Sequence, residues 1–325
     1  MTANYDDCPK YVQDFLFYMQ TIKGRSPKTV DAYAVDLRTF FRYMVMVRNH
    51  MPQDTNLADI AIADVGLDLI QNITISDVYS YLYFVTGQRS NSSATRARKV
   101  SCLKSFFKYL TLNAHVISDN PVKDLEIPAI KKSMPKYLSL DQSVQLLQNI
   151  NPQTDVYSQR DYCMVTLFLN CGMRLSELVG INLQDINDNT LRLTGKGNKE
   201  RIIYLNDACI QAIKEYLPVR ANGLKQVKDI DALFLNRQGR RISNRRVQQI
   251  VTNALDRAGL AGKGLSVHKL RHTAATLMYQ YGNVDIRVLS QILGHEHVST
   301  TEIYTHVSDK QVQSAMLHSP LAKVK

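Results

Sequence analysis

The stretch LRLTGKGNKERIIYL, residues 191–205, alternates apolar and polar side chains on both sides of a short glycine-rich segment. Successive side chains of a β-strand point to opposite faces, so each arm of this pattern predicts a half-buried strand. Gly195 and Gly197 flank Lys196 and predict a hairpin turn with that lysine at its tip. Residues 232–236, ALFLN, predict a third strand. We therefore expect one small antiparallel sheet in this part of the chain.

Helical patterns surround the predicted sheet. The segment Ser139-Leu-Asp-Gln142 is a capping box, and it predicts a helix whose apolar residues include Val144, Leu147 and Ile150. A second helix is predicted over about 158–169, and the chain after the sheet is mostly helical. This half of the protein is thus predicted to be a mixed α/β domain in which helices dominate.

The first part of the chain has only helical patterns. Apolar residues recur at helical spacing over 11–22, and the pair Ser26-Pro27 predicts the N-cap and first residue of a second helix. Further helices are expected from about Ser76 and from about Ser93. Residues 46–75 fit no single period, and we interpret them as an insertion. The overall fold class predicted is mainly α, with a helical first domain.

The helix expected from about Ser93 combines an apolar stripe with basic residues. The stripe comprises Val100, Leu103, Phe106, Phe107 and Leu110, and the basic residues predicted to lie largely off it are Arg96, Arg98, Lys99 and Lys104. A basic helix face is either simply solvated or follows a phosphate backbone. We predict that Arg96, Lys99 and Lys104 contact DNA.

Between the two halves, residues 120–136 contain three prolines and four lysines. Prolines at this spacing exclude a continuous helix and favour an extended, semi-rigid connection. The predicted organisation is therefore a first domain over 1–119, a linker over 120–136 and a second domain over 137–325. Lys131 and Lys132 of the linker are predicted to contact DNA.

The charge of the chain indicates a polyanionic partner. The formal net charge is +11 and the isoelectric point is near 9.3, with a net +2 over residues 1–120 and +9 over 121–325. The N-terminal sequence is unlike a signal peptide, and no segment approaches the ~20 apolar residues of a membrane span. The five cysteines are scattered without CxxC spacing and are expected to be reduced. These features predict a cytoplasmic protein with no membrane partner.

Four separated segments contain residues suited to the chemistry of a phosphodiester. Arg174 and Glu177 lie three apart on a predicted helix, so that the carboxylate can orient the guanidinium. Two arginines, two histidines and a lysine would stabilise a pentacoordinate phosphoryl transition state; they are Arg174, Lys196, His268, Arg271 and His295. Tyr304 is an available nucleophile. Residues 299–302 predict a helix that begins near Thr300 and presents this tyrosine.

A metal site is the alternative reading of the histidines. His268 and His272 have the i, i+4 spacing of a metal-binding helix. However, Lys269 follows the first of them and Arg271 lies in the same turn, and both would repel a dication. We therefore predict no metal and no cofactor.

In order and spacing, these segments resemble the tyrosine recombinases of the phage integrase family, particularly its Xer-like members. The matching motifs are R-L-S-E from Arg174, G-K-G-N-K-E-R from Gly195, H-K-L-R-H from His268, and L-G-H with Y-T-H between Leu293 and His306. The resemblance covers nearly the whole chain. It implies a helical core-binding domain followed by a catalytic domain of the DNA breaking-rejoining fold.

The resemblance also implies a role for each matching residue. Tyr304 would attack the scissile phosphate and form a 3′-phosphotyrosyl link, while Arg174 and Arg271 would hold the non-bridging oxygens. Lys196 would protonate the leaving 5′-oxygen, and His268 would assist proton transfer from the tyrosine. His295 would contact the phosphate. Glu177 would support the geometry of the arginine and the histidine, and His272, His297 and His306 would also be supporting residues. Neither ATP nor a metal would be needed, because the covalent link preserves the phosphodiester energy.

The same family implies a homo-oligomer on a double-stranded DNA recombination site, expected to be a tetramer, and leaves open whether a second related recombinase is a further partner. An amphipathic tail after Tyr304 would dock on a neighbouring protomer or fold back on its own domain. We expect no separate arm-binding domain before the first domain, which favours a Xer-like enzyme or a small mobile-element integrase. A catalytically silent, sequence-specific DNA-binding protein and a monomeric type IB topoisomerase are the alternatives.

Overall fold

The computed structural model describes residues 4–87, 91–128, 136–150, 156–282, 284–295 and 297–304, with only the backbone of Val156, Lys196 and Glu302. The chain divides into two compact units, Met1–Lys132 and Ser133–Lys325. The division falls inside the predicted linker. Val122 and Leu125 are buried in the core of the first unit, so the start of that linker packs on the unit rather than forming a free connection. Pro135, Lys131 and Lys132 lie outside the described residues.

The first unit is a helical domain, as predicted. Its helices are α1 (Lys10–Thr21), α2 (Pro27–Arg48), α3 (Leu67–Gln71), α4 (Ile75–Gly87) and α5 (Ser93–Leu112). The Ser26 hydroxyl caps α2 by accepting from the backbone N–H of Thr29, with Pro27 as the first helical residue. The core is rich in fully buried aromatic side chains, namely Phe15, Phe40, Phe41, Tyr81, Phe106 and Phe107.

Residues 46–75, for which the sequence predicted no element, add to this core. The end of α2 extends through Arg48, and a 3₁₀ turn over Leu57–Asp59 and the short helix α3 follow it. Five aliphatic side chains of the segment are buried, namely Leu57, Ile60, Ile62, Ile70 and Ile73. The insertion is therefore part of the domain's hydrophobic core and not a surface loop.

The position predicted for Lys99 on α5 is wrong. Lys99 is 5% exposed, and its Nζ donates to Asp36 Oδ1 of α2 at 2.9 Å, while Arg98 donates to the other oxygen of the same carboxylate. Lys99 lies four and seven residues before Leu103 and Phe106, and this spacing places it on the buried stripe. Lys104 donates to the backbone carbonyls of residues 123 and 125 and so fastens α5 to the segment that follows it.

The second unit surrounds α7 with helices and one small sheet. Its elements are α6 (Leu140–Gln148), α7 (Val156–Cys171), α8 (Leu175–Gly180), β1 (Ile186–Asn187), β2 (Thr190–Thr194), β3 (Glu200–Tyr204), α9 (Asp207–Tyr216), α10 (Asn244–Arg257), α11 (Val267–Tyr281) and α12 (Ile286–Leu293). The predicted capping box of α6 is confirmed, and its buried face agrees with the prediction in part. Ile150 is buried and Leu147 packs against the core as predicted, whereas Val144 is 45% exposed and Ser143 and Leu146 are buried instead.

The predicted hairpin is confirmed, with β2 and β3 antiparallel and Leu193 opposite Arg201. The prediction of a third strand over residues 232–236 is wrong. Residues 232–236 form only two isolated bridges, and the third strand of the sheet is β1, which pairs with β2. The ALFLN run is apolar because residues 232–235 are buried in the core, a pattern that a short sequence cannot distinguish from a strand.

Two further observations concern the described residues. None of their helices has the length and apolar character that a membrane span requires. All five cysteines are buried free thiols, as the sequence predicted, and each is surrounded by apolar side chains of its unit.

Candidate active site

Glu177 lies at the centre of the charged cluster in the second unit. The first turn of α8 carries it, and Arg174 is the N-cap residue of that helix. Glu177 Oε2 accepts from the backbone N–H of Arg174 at 2.7 Å, and Oε1 accepts from Arg174 Nη1 at 2.8 Å. The carboxylate therefore orients the guanidinium, as the spacing of the two residues predicted.

A second arginine, which sequence reasoning did not single out, binds the same carboxylate. Arg201 of β3 donates from Nη1 to Glu177 Oε1 at 2.7 Å and from Nη2 to Oε2 at 2.9 Å. The alternation of β3 contains the signal that could have found it. Arg201 and Ile203 face inward, whereas Ile202 and Tyr204 are 67% and 79% exposed.

These contacts fill the acceptor positions of a buried carboxylate. Burial by itself raises the pKa of Glu177, but the hydrogen bonds from Arg201 and from the backbone and side chain of Arg174 outweigh it. The pKa falls to about 2. Glu177 is therefore ionised throughout the physiological range and supports both cations.

The C-terminal end of α12 is held by three arginines from different elements. Arg201 Nε donates to the carbonyl of residue 292 at 3.1 Å, Arg271 Nη2 to that of residue 293 at 2.7 Å, and Arg174 Nη2 to that of Gly294 at 2.9 Å. Carbonyls at a helix C-terminus lack intrahelical donors and carry the negative end of the dipole, so cations suit them. Gly294 has φ 64°, the left-handed conformation that ends a helix.

Arg271 lies deeper in the cluster than Arg174. It is 4% exposed, and its Nη1 also donates to the carbonyl of Gly172 at 2.7 Å. Burial and, after it, the neighbouring charge of Arg174 lower the pKa of Arg271 to about 10. The two guanidinium groups repel each other, so an anion placed between them would be stabilised.

The loop after Gly294 carries His295. Its Nδ1 lies 2.8 Å from Thr301 Oγ1. Burial, together with the charges of Arg271 and Arg174, lowers the pKa of His295 to about 4. The ring is therefore neutral at physiological pH, so that one of its nitrogens donates a hydrogen bond and the other accepts one.

Tyr304 lies in a 3₁₀ turn over Glu302–Tyr304, so the predicted helix beginning near Thr300 is wrong for this segment. Tyr304 is 4% exposed, and its hydroxyl lies 2.8 Å from His272 Nδ1. Burial and, next, the nearby His268 lower the pKa of His272 to about 4. In this structure the histidine in contact with the phenol is thus His272 and not His268.

Of two further predicted site residues, His268 and Lys196, the structure describes the first in full and only the backbone of the second. His268 is exposed on α11, one turn before His272, with the two rings 5.1 Å apart. The backbone of Lys196 lies in the hairpin turn, where Gly197 has φ 72°, but its side chain is outside the described part of the structure. His306 also lies outside it. Among the described residues, no three His, Cys, Asp or Glu side chains are grouped to hold a metal ion.

Two cavities border the cluster within the second unit. The smaller, of about 370 Å³, is lined by Arg174, His268 and Arg271 together with Gln248 and Thr252 of α10. The larger is a groove of about 1010 Å³ between β3 and α12; it is lined by both polar site residues and apolar side chains, among them Arg174, His295, Ile202, Tyr204 and Val288.

The model of the phage integrase family matches residues 136–311, and that of the phage integrase N-terminal SAM-like domain matches residues 12–113. The chain belongs to the phage integrase family. A tyrosine recombinase XerC of Caldanaerobacter subterraneus subsp. tengcongensis is 51% identical over 315 residues, which cover 97% of this chain and 88% of that protein. A tyrosine recombinase XerD of Halalkalibacterium halodurans is 30% identical over 94% of this chain and 96% of its own length.

Solved structures confirm the recombinase fold. A XerH site-specific recombinase bound to its difH substrate superposes with a TM-score of 0.68 at 23% identity, covering 94% of this chain and 83% of that one. A lambda integrase dimer bound to a COC′ core site gives 0.65 at 17% identity, covering 90% and 75%. With the relatives above, these results make the chain a Xer-like tyrosine recombinase that carries out site-specific recombination. Of the three functions predicted from the sequence, the recombinase is the one they support.

Proposed function

We propose that this recombinase cleaves and rejoins double-stranded DNA through a covalent link between Tyr304 and the 3′-phosphate of the cut strand. The observation that carries the proposal is the convergence of Arg174, Arg271 and His295 at the C-terminal end of α12, in the unit that also holds Tyr304. Three polar groups suited to a phosphate and one phenol hydroxyl thus share a single cluster.

Arg174 and Arg271 are proposed to bind the non-bridging oxygens of the scissile phosphate. Their mutual repulsion in the DNA-free protein favours an anion at this place, and the charge that develops in the transition state strengthens the interaction. His295 would add a hydrogen bond from a neutral ring. Glu177 does not contact the phosphate in this proposal, because its oxygens are occupied by Arg174 and Arg201.

Proton transfer is proposed to begin at the phenol of Tyr304. As its oxygen bonds to phosphorus, the proton moves to His272 Nδ1, which is neutral and already within 2.8 Å. The bond between phosphorus and the 5′-oxygen breaks, and Lys196 gives that oxygen a proton. His268 lines the smaller cavity together with Arg174 and Arg271. It would accept the proton from His272 or form a hydrogen bond with the phosphate. One phosphodiester replaces another, so resealing needs no nucleotide.

The DNA partner and the assembly are likewise proposals. Related structures contain a difH substrate with XerH and a Holliday junction with a lambda integrase tetramer. We propose that this chain forms a tetramer on its recombination site, in the cytoplasm, with residues 1–119 and 137–325 as its core-binding and catalytic domains joined by 120–136. The segment after Tyr304 would dock in the groove of a neighbouring protomer, where Ile202, Tyr204 and Val288 are 67%, 79% and 48% exposed.

Covalent trapping tests the proposal. Purified recombinase is incubated with sheared DNA of its source organism and denatured, and the DNA that remains attached to protein is sequenced. The wild type should yield one enriched site, and Tyr304→Phe should bind that site but give no adduct. Tyr281→Phe, which removes the hydroxyl of a 68% exposed tyrosine in the same unit, should behave as the wild type. An adduct with Tyr304→Phe would assign the nucleophile elsewhere.

A further inference from the structure

Arg201 connects three parts of the second unit through one side chain. It belongs to β3, five residues after Lys196, and binds both oxygens of Glu177 while its Nε donates to the carbonyl of residue 292. Glu177 in turn holds Arg174, and residue 292 is close to the loop that carries His295. The hairpin, the arginine of α8 and the end of α12 are thus joined at Arg201.

Arg201 is committed to protein partners more fully than Arg174. Each of its three nitrogens donates within the protein, and its side chain is 15% exposed, compared with 36% for Arg174. A planar guanidinium can bind a carboxylate with two parallel hydrogen bonds and still donate a third in the same plane, which an ammonium group cannot. The geometry therefore requires arginine and not merely a positive charge.

The backbone at the end of α12 fits closely against Arg201. A Cβ added at Gly294 would lie 3.0 Å from Arg201 Nη1 and 3.1 Å from Cζ. Gly294 is also the residue whose carbonyl accepts from Arg174 and which precedes His295. A displacement of Arg201 would thus move Glu177 and remove the support of the loop at the same time.

We propose that Arg201 is a positioning residue for cleavage, which acts through Glu177 on Arg174 and through the end of α12 on His295. This inference rests on the proposed function of those two residues. Arg201 does not bind the DNA; it sets the direction of the groups that do. It also fixes the base of the hairpin, so that Lys196 at the tip extends from an anchored strand.

Single-turnover cleavage of the site recovered by covalent trapping tests this proposal. Arg201→Lys should lower the cleavage rate about 10²-fold, the effect expected when reacting groups are misplaced by about 1 Å, and should leave the dissociation constant for the duplex within about twofold. The matched control is Arg192→Lys. Arg192 lies on the adjacent strand and binds Asp185 through Nε and Nη2, but it is outside the site, and its variant should cleave as the wild type does.

A modified DNA distinguishes positioning from a general loss of structure. A methylphosphonate at the scissile position replaces one charged non-bridging oxygen by methyl, so cleavage depends less on Arg174. This substrate should restore part of the activity of both Arg174→Ala and Arg201→Lys. In addition, the loss caused by Arg201→Lys should be clearly smaller when Arg174 is already alanine, because the part that acts through Arg174 is then gone and only the part that acts through the end of α12 remains.

Should Arg201→Lys fail to fold, the double variant Glu177→Gln/Arg201→Gln removes both charges together, so that neither partner of this pair is left without the other. The same loss of cleavage and the same rescue are then expected. Equal rates for Arg201→Lys and Arg192→Lys would overturn the proposal. The proposal would also be overturned if methylphosphonate did not relieve the loss caused by Arg201→Lys and if that loss were as large in the Arg174→Ala background as in the wild type. Failure of the proposed function is seen separately, as an adduct that survives Tyr304→Phe.

Discussion

Each unit of the recombinase contains a buried carboxylate bound by two cations, yet the two clusters differ in electrostatics. In the first unit Asp36 binds Lys99 and Arg98, and burial, which outweighs these cations, raises the pKa of the aspartate. In the second unit the donors around Glu177 outweigh burial and lower its pKa to about 2. The two carboxylates are equally inaccessible, at 3% and 2% exposed.

The difference lies in the number of hydrogen bonds and in the cavity beside the outer cation of the second cluster. Glu177 accepts four hydrogen bonds, two of them from a planar fork, and its partner Arg174 is 36% exposed beside a cavity. The inner cations, Lys99 and Arg201, are 7% and 15% exposed, and Arg98 is as open to solvent as Arg174, at 40%, but only Arg174 shares its cavity with a second arginine, Arg271. The first cluster therefore joins α2 to α5, whereas the second holds one cation at a surface that can receive an anion. The number of basic residues on a helix does not distinguish these cases.

The largest expected effect is on stability. Glu177→Gln removes the carboxylate that Arg174 and Arg201 share and leaves the Arg201 charge without its counterion, which should lower the free energy of unfolding by about 3–5 kcal/mol. Asp36→Asn should cost less, because burial raises the pKa of Asp36 and so already opposes its ionised form. Chemical denaturation of both variants measures the difference. The control Asp36→Leu/Lys99→Met removes both charges and should be near the wild type. A greater loss for Asp36→Asn would reverse the comparison.

The next effect is on cleavage. Arg174→Ala should lower the single-turnover rate by about 10²–10³-fold, as for the loss of one donor to a transition-state oxyanion. Arg98→Ala removes a guanidinium with the same type of partner but in the other unit, and bound DNA should be cleaved at the wild-type rate. Rates are compared at saturating protein. If Arg98→Ala proved as slow as Arg174→Ala, the first cluster would also serve the chemistry.

The two carboxylates should respond to acid in opposite directions. The stability that Glu177 contributes is present above its unfolded pKa near 4.5 and is lost as the pH falls toward 2. For Asp36, whose pKa is raised, ionisation costs stability at neutral pH, and the cost disappears as the pH falls. Thermal unfolding between about pH 5 and about pH 3 should show the advantage of the wild type shrinking against Glu177→Gln and growing against Asp36→Asn. Parallel changes would contradict the assignment.

The smallest effect concerns DNA affinity. If Arg96 contacts a phosphate, Arg96→Gln should reduce the slope of log affinity against log salt by about 1. Asp36→Leu/Lys99→Met should leave the slope unchanged, because Lys99 does not reach the surface. Binding isotherms at several salt concentrations measure both slopes. A reduced slope for the double variant would show that Lys99 reaches DNA after all.

Much of the fold could be predicted from local sequence, because its signals lie within a few residues of one another. Ser26-Pro27, the capping box at Ser139 and the two arms of the hairpin each specify an element through neighbouring groups. The third strand could not be assigned in this way, since a buried apolar run such as 232–236 is compatible with several structures. The prediction for Lys99 is wrong, although its spacing of four residues from Leu103 indicates a position on the buried face of the helix.

The site was predictable in composition but not in its connections. Arg174 and Glu177 are close in sequence, so their contact followed from helical spacing. The partners of the phenol and of the α12 carbonyls come from segments tens of residues away, and one sequence does not specify which of two histidines on α11 reaches Tyr304. Arg201 was predictable only in part, because strand alternation indicates that its side chain faces inward but does not indicate which groups it binds.

The end of α12 also limits how the chain can vary in length. Each of its last three carbonyls accepts a hydrogen bond from an arginine of a different element, and these three bonds are the matches that matter here. One residue inserted within the helix would turn the carbonyls by about 100° and advance them by about 1.5 Å. All three matches would then be lost at once. Between α10 and α11, by contrast, residues 261–263 are exposed after the buried Leu260. Insertions that enlarge this recombinase, for a tag or a fused module, belong there and not between Ile286 and His295.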